Sequence, residues 1–211
     1  QLNSYTFCAL ARYSGAAKGR IFNSTSLNWL SGFWNGTIAV AYNKPGCKLK
    51  LTQKQTVDIF AGRINDWKQL PNCGNGPIRV VYRSDGSGTT YAFTNSLDAF
   101  GGWGPGVGKA VKCPTGVGAK GNEGVSGRIR QTPGSIGYVN TGFVKANKIQ
   151  TASIQNKVGK FVLPTAASGA AALNNIKLDA NLAGENPNPI YSDLFYFLDI
   201  SVQRVSVDPY Y

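Results

Sequence analysis

The segment 83–90, which reads RSDGSGTT, combines residue types that together can bind an oxyanion. It follows a β-branched run and precedes a helical pattern. Backbone N–H groups at a helix start have no partner within the helix, and the helix dipole favours an anion there. We therefore predict that the amides of residues 87–89 point at such an ion. Gly88 allows close backbone approach, the Ser87 and Thr89 hydroxyls add donors, and the Arg83 guanidinium can contact two oxygens at once.

Asp85 is the unexpected member of this segment, because a carboxylate repels an anion. It fits a ligand that still carries a proton, as hydrogen phosphate does and sulfate does not at neutral pH. Asp85 would then accept a hydrogen bond from phosphate and be left unpaired beside sulfate, which is how sites reject near-isosteres. The alternative is that Asp85 is only a turn or cap residue.

The elements around this segment predict an α/β protein. Ligands in open α/β sheets bind outside the carboxyl ends of strands, and the segment lies between a predicted strand and a predicted helix. Strands and helices alternate along the rest of the chain, which is typical of the α/β class. The predicted strands are 37–42, 78–82, 135–139 and 160–163; the predicted helices are 52–62, 91–100, 122–131, 141–148 and one that Thr165 caps; residues 101–121 are predicted to be a glycine-rich connection.

A second glycine-rich motif, GVGAKG at 116–121, matches the G-x-G-x-x-G pattern of dinucleotide sites. No β-branched strand precedes it in the sequence, and no acidic residue follows at the distance such sites use. We therefore expect neither a dinucleotide nor any other cofactor.

Composition limits the possible chemistry. The 211 residues include 22 Lys and Arg against 10 Asp and Glu, giving a formal charge of +12, and no His. The lack of His excludes Ser-His-Asp and Cys-His nucleophiles and His-ligated metals, so we expect no enzyme and no metal site. The positive charge attracts anions, but the basic residues form no dense run, so we expect no nucleic-acid partner.

The cysteines indicate the compartment. Cys47 and Cys73 lie in Gly/Pro-rich turns that flank a helical segment, and we favour a disulfide between them, which implies an oxidising environment. Cys8 and Cys113 are either a second pair or two buried thiols. The four cysteines show no CxxC spacing, so zinc is not expected.

Four segments resemble the phosphate-binding proteins of the bacterial phosphate ABC transporter, a class of periplasmic substrate-binding protein. They are VDIFAGRINDW at 57–67, VYRSDGSGTT at 81–90, GVGAKGNEGV at 116–125 and QTPGSIGYV at 131–139. The segments follow the family's order, and the resemblance covers about residues 37–185. It implies a two-lobed α/β protein of the type II binding-protein architecture, which closes around one phosphate, is periplasmic or extracellular, and delivers phosphate to a membrane permease.

The resemblance also implies roles for individual residues and segments. Arg83, Asp85, Ser87, Gly88 and Thr89 correspond to the phosphate contacts of one lobe. The family's first-lobe phosphate-binding segments are absent, but the sequence YSGA at 13–16 resembles its Gly-Ser-Gly-Ala turn, so Ser14 is a candidate first-lobe contact. We accordingly expect a first-lobe remnant at 1–36, a phosphate-binding lobe with a mixed, helix-flanked sheet at 37–185, and an aromatic C-terminal tail at 186–211. The sequence contains no Met, so we also expect a processed, partial or incompletely read chain.

These observations leave three hypotheses. The leading one is binding of inorganic phosphate as the extracytoplasmic component of an ABC importer. The alternative is that the same lobe is a structural or interaction module of a larger or virus-borne assembly, in which the C-terminal tail contacts a protein partner. A phosphatase is the third, but the sequence offers no recognisable metal cluster or nucleophile–base pair for it.

Overall fold

The computed structural model describes residues 37–165 and Ser168. These residues form strands, α-helices and one short 3-10 helix at Trp67–Gln69. The strands are β1 (Ile38–Asn43), β2 (Lys50–Leu51), β3 (Arg79–Arg83), β4 (Val117–Ala119), β5 (Ser135–Asn140), β6 (Gln150–Thr151), β7 (Ser153–Gln155) and β8 (Phe161–Val162). The helices are α1 (Gln53–Phe60), α2 (Gly88–Phe100), α3 (Gly121–Gln131) and α4 (Thr141–Asn147).

The main sheet of the described region has the strand order β4-β3-β5-β1-β6. Strand β3 runs parallel to both neighbours, since Val81 lies opposite Val117 of β4 and opposite Gly137 of β5. Strand β1 is antiparallel to β5 and to β6. Helix α3 packs against β3 and β5, and α2 packs against α1 and β5. The predicted mixed sheet with flanking helices is therefore confirmed.

A smaller sheet has the strand order β2-β7-β8. Along the chain, β2 follows β1 of the main sheet, and β7 follows β6. Strands β2, β4, β6 and β7 were not predicted, because two or three residues are too few to show an alternating pattern. Strand β4 corrects the prediction that 101–121 is one continuous connection.

Two helix starts follow from capping side chains. Thr52 caps α1 as predicted: its hydroxyl accepts from the Gln55 amide at 3.1 Å, and the Gln55 side chain accepts from the Thr52 amide at 3.0 Å. Helix α2 begins at Gly88, three residues before its predicted start, because Ser87 caps it.

An aromatic cluster joins the helices to the sheet. Phe93 of α2 stacks on Tyr138 of β5 with ring centroids 4.2 Å apart, and Phe60 of α1 meets Phe93 edge-on at 4.7 Å. All three side chains are at most 1% exposed. Such pairs each contribute about 0.5–1.5 kcal/mol beyond burial, so the cluster holds the start of α2 firmly against β5.

The cysteines follow the prediction where the structure describes them. Cys47 and Cys73 form a disulfide, with Cα atoms 4.6 Å apart, which confirms the expected pair. Cys113 forms no disulfide with another described residue, and burial raises the pKa of its thiol to about 12.

Several expectations lie outside the described residues. These are the first-lobe remnant at 1–36 with Ser14 and Cys8, most of the helix predicted after Thr165, and the tail at 186–211. Of that segment, the contact between Thr165 and Ser168 is described: the Thr165 hydroxyl accepts from the Ser168 amide at 3.1 Å. Within the described region, no helix has the length and apolar character needed to cross a bilayer.

Asp58 connects α1 to the loop that follows it. Its carboxylate accepts from Lys54 Nζ at 2.6 Å and from Arg63 Nε at 2.5 Å, and its side chain is 10% exposed. Burial raises the pKa of Asp58, but the hydrogen bonds from Lys54 and Arg63 outweigh burial and leave the pKa below its ordinary value. Asp58 is therefore ionised at neutral pH and stabilises the end of the helix.

Reduction of the Cys47–Cys73 disulfide should lower the free energy of unfolding. The bond joins residues 26 positions apart, and the lost restriction of the unfolded chain is worth about 3 kcal/mol. Urea unfolding with and without dithiothreitol measures the difference. The double variant Cys47→Ser/Cys73→Ser is the control and should respond to the reductant less than the wild type does, because any response that remains comes from Cys8 and Cys113; equal midpoints for the oxidised and reduced wild type would contradict the prediction.

Asp58→Asn should lower the free energy of unfolding by about 1–3 kcal/mol at neutral pH, because it weakens two charge-assisted hydrogen bonds. The lowered pKa means that the carboxylate's contribution is present above about pH 4 and is lost as pH falls through the folded-state value. The difference in free energy of unfolding between wild type and variant should thus shrink as the solution is acidified. Urea unfolding at several pH values measures it, with exposed Asp98→Asn as the control; a gap that does not change with pH would refute this assignment.

Candidate anion-binding site

Strands β3, β4 and β5 are parallel and end at the same edge of the main sheet. The chain enters α2 after β3, α3 after β4 and α4 after β5, so each of these helices starts at that edge. Because β3 lies between β4 and β5, the segment 83–90 occupies the middle of the edge. This is where open α/β sheets bind ligands.

Arg83 is the last residue of β3, and it is only 8% exposed. Its Nε donates to Asp85 Oδ1 at 2.7 Å, and its Nη2 donates to Asp85 Oδ2 at 2.5 Å. This bidentate pairing raises the pKa of the guanidinium. One edge of the guanidinium is thus used within the protein, while Nη1 donates to no described residue.

Asp85 receives a third hydrogen bond from the neighbouring helix. The amide of Gly121, the first residue of α3, donates to Asp85 Oδ1 at 3.0 Å. The hydrogen bonds from Arg83 hold the pKa of Asp85 far below its usual range, although burial opposes them, and the Gly121 amide lowers it further. Asp85 is therefore ionised at neutral pH, with its charge balanced by a guanidinium and a helix N-terminus.

The first turn of α2 has fewer unpaired backbone amides than the sequence predicted. The Ser87 amide donates to the Lys109 carbonyl at 2.8 Å, and the Thr89 amide donates to Ser87 Oγ at 3.1 Å. This corrects the expectation that all three amides of 87–89 are unpaired. The Gly88 amide has no acceptor within the helix, and the Ser87 hydroxyl proton can still be donated, because its oxygen is the acceptor in the cap.

Two buried hydroxyls lie beneath this turn. Thr90 Oγ1 and Tyr138 Oη are 3.0 Å apart, and Tyr138 Oη also accepts from the Arg83 amide at 3.2 Å. Both side chains are at most 1% exposed. Burial raises the pKa of Tyr138 to about 12, so the phenol is protonated at neutral pH.

The structure brings together the predicted residues that it describes and adds two. The edge where β3, β4 and β5 end carries the five described residues of the prediction: Arg83, Asp85, Ser87, Gly88 and Thr89. The sixth, Ser14, is outside the described residues. Gly121 and Tyr138 were not among the residues predicted for the site.

Each missed residue left a signal in the sequence. Gly121 closes the motif at 116–121, which does have a strand, β4, within it and α3 after it. Its φ of 72° and its amide donation to Asp85 explain a glycine there without a dinucleotide. Tyr138 sits in a predicted buried strand, where a phenol needs a hydrogen-bond partner.

Metal chemistry finds no support among the described residues. They contain no group of three or more His, Cys, Asp or Glu side chains placed to hold a metal ion. Arg83 and the first turn of α2 instead offer hydrogen-bond donors, which suit an anion better than a metal ion.

Comparison with curated proteins identifies relatives of known name. The chain is 40% identical over 179 residues to the phosphate-binding protein PstS of Haemophilus influenzae, a match covering 74% of this chain and 52% of that protein. It is 43% identical over 144 residues to PstS of Pasteurella multocida, covering 63% of this chain and 42% of that one. The chain thus spans about half the length, or less, of these relatives.

Solved structures and family models agree on the fold. The chain superposes with a TM-score of 0.64 on a high-affinity periplasmic phosphate-binding protein bound with phosphate, covering 85% of this chain and 62% of that one at 23% identity. The model of the PBP superfamily domain matches residues 22–198. That match includes every described strand and helix as well as the segment 83–90, and the chain therefore belongs to the PBP superfamily.

Proposed function

We propose that this chain binds inorganic phosphate as the extracytoplasmic substrate-binding component of an ABC phosphate importer. The observation that supports it best is the ion pair of buried Arg83 with half-buried Asp85 beside the N-terminus of α2, at the shared edge of three parallel strands. The relatives named PstS at about 40% identity support phosphate as the ion.

The donors suit a tetrahedral oxyanion. The Nη1 edge of Arg83 presents a charged donor, the Gly88 amide a neutral one, and the Ser87 and Thr89 side chains add hydroxyls. The dipole of the 13-residue helix α2 favours negative charge at the same point. Since Arg83 and Asp85 cancel each other's charge, the ion is held by directed hydrogen bonds more than by net charge.

The second part of the proposal is that Asp85 also distinguishes phosphate from sulfate. Asp85 Oδ1 accepts two hydrogen bonds, from Arg83 and Gly121, whereas Oδ2 accepts one from Arg83. A carboxylate oxygen has room for two, so Oδ2 can accept one more from a protonated ligand. Sulfate has no proton to donate at neutral pH and would leave this acceptor unpaired.

The proposal also includes the other lobe, the partner protein and the location of the chain. We assign Ser14 as a contact from the other lobe and a membrane permease as the partner that takes up phosphate. A periplasmic or extracellular location agrees with the Cys47–Cys73 disulfide. We propose that the chain acts by binding and not by catalysis, and the relatives named phosphate-binding proteins support this.

Arg83→Ala should weaken phosphate binding at least 100-fold, because it removes charged hydrogen bonds worth about 1.5–3 kcal/mol each. Titration calorimetry with phosphate at neutral pH measures the dissociation constant. The control is Arg79→Ala, which removes an exposed arginine from the other end of β3 and should change affinity less than threefold. Wild-type protein that binds no phosphate would refute the proposed function; equal affinity in wild type and Arg83→Ala would refute the site.

Asp85→Asn should reduce the ratio of phosphate to sulfate affinity at least tenfold. The amide can neither hold Arg83 by two oxygens nor accept the ligand proton at the Oδ2 position, so phosphate loses more than sulfate. Parallel titrations with both anions measure the ratio. If both affinities fall equally, Asp85 only holds Arg83 in place and has no part in selecting the ion.

A further inference from the structure

Tyr138 connects the core of the domain to the anion-binding edge. Its ring stacks on Phe93 within the aromatic cluster, and its hydroxyl reaches the end of the adjacent strand β3. There it accepts a hydrogen bond from the backbone amide of Arg83 at 3.2 Å. It also pairs with Thr90 Oγ1 at 3.0 Å, in the first turn of α2. One side chain thus contacts both elements that supply the proposed phosphate donors.

The position of this hydroxyl follows from the strand register. Backbone pairing of β3 with β5 ends at Val81 opposite Gly137. Beyond that point, the Arg83 amide points to the side chain of Tyr138 instead of to a β5 carbonyl. A tyrosine hydroxyl can accept from an amide and still donate one proton, so Tyr138 satisfies the end of β3 and the Thr90 side chain together.

We infer that Tyr138 is a positioning residue for the phosphate site: its hydroxyl sets the distance between Arg83 and the first turn of α2. The inference rests on the proposed function and deepens it. Binding sites need their donors held within about 0.5 Å of the productive geometry. Without the hydroxyl, the buried Arg83 amide loses its acceptor, and the end of β3 must shift or admit water to satisfy it.

Tyr138→Phe is the direct test, because it removes the hydroxyl and keeps the ring in the aromatic cluster. We expect phosphate affinity at neutral pH, measured by titration calorimetry, to fall 10- to 100-fold. The matched control is Ser96→Ala, which removes a buried hydroxyl from α2 two turns after its start. Ser96 Oγ donates to the Ala92 carbonyl at 2.9 Å and not to a residue of the site. Its phosphate affinity should change less than threefold, even if both variants lose similar stability in urea.

Variants of Thr90 test the same link from the helix side and are available if Tyr138→Phe does not fold. Thr90→Val removes the partner hydroxyl and should weaken phosphate binding, whereas Thr90→Ser retains the hydroxyl and should restore it. In amide NMR spectra of the free protein, Tyr138→Phe and Thr90→Val should shift the Arg83 and Gly88 resonances, and Ser96→Ala should leave them in place. These amide resonances report the geometry of the folded site. A loss of global stability alone would not shift them.

The outcomes separate the inference from the function on which it rests. Absence of phosphate binding by the wild type would overturn the proposed function. A wild type that binds phosphate, together with a Tyr138→Phe variant of equal affinity, would overturn only the positioning role. A loss of affinity in Thr90→Val that Thr90→Ser fails to restore would likewise count against the hydroxyl link.

Discussion

Parallel pairing of β3 with both β4 and β5 is the constraint on which the described structure depends. It aligns the carboxyl ends of three strands and thereby collects three helix starts at one edge of the sheet. Parts of the chain more than 30 residues apart meet there, which is why the Gly121 amide can reach the carboxylate of Asp85. An antiparallel neighbour on either side of β3 would present a strand start at this edge, without a helix N-terminus behind it.

The chain has an excess of positive charge, whereas the positive charge of Arg83 at this edge is neutralised by Asp85. The formal charge of the chain is +12, yet the buried Arg83 is paired with Asp85, and Asp85 is further stabilised by the α3 amide. A buried cation without a partner would be costly. The pairing leaves Nη1 of the guanidinium without a described partner, and in the proposed function this edge selects the ion by geometry. Affinity and selectivity then depend on how accurately a few donors are placed.

That accuracy is linked to the core. Tyr138 and Phe93 belong to the aromatic cluster that packs α2 on β5, and the same Tyr138 hydroxyl contacts the Arg83 amide and Thr90. Packing and site geometry are therefore not independent in this domain. Changes in the cluster should affect the site through the register of α2 against β3, as expected where interiors are close-packed and transmit strain.

The sequence by itself determined the α/β class, the principal strands and helices and the favoured disulfide partners, and it predicted segment 83–90 as a candidate ligand site. These are local features, because β-branched runs, caps such as Thr52 and a glycine-rich strand–helix turn are visible without knowing what they contact. Only the tertiary structure decided which amides are free, that Asp85 pairs with Arg83 and Gly121, and that Tyr138 reaches the site. Those contacts depend on strand order and register, which bring together residues that are distant in the chain and leave no local pattern in the sequence.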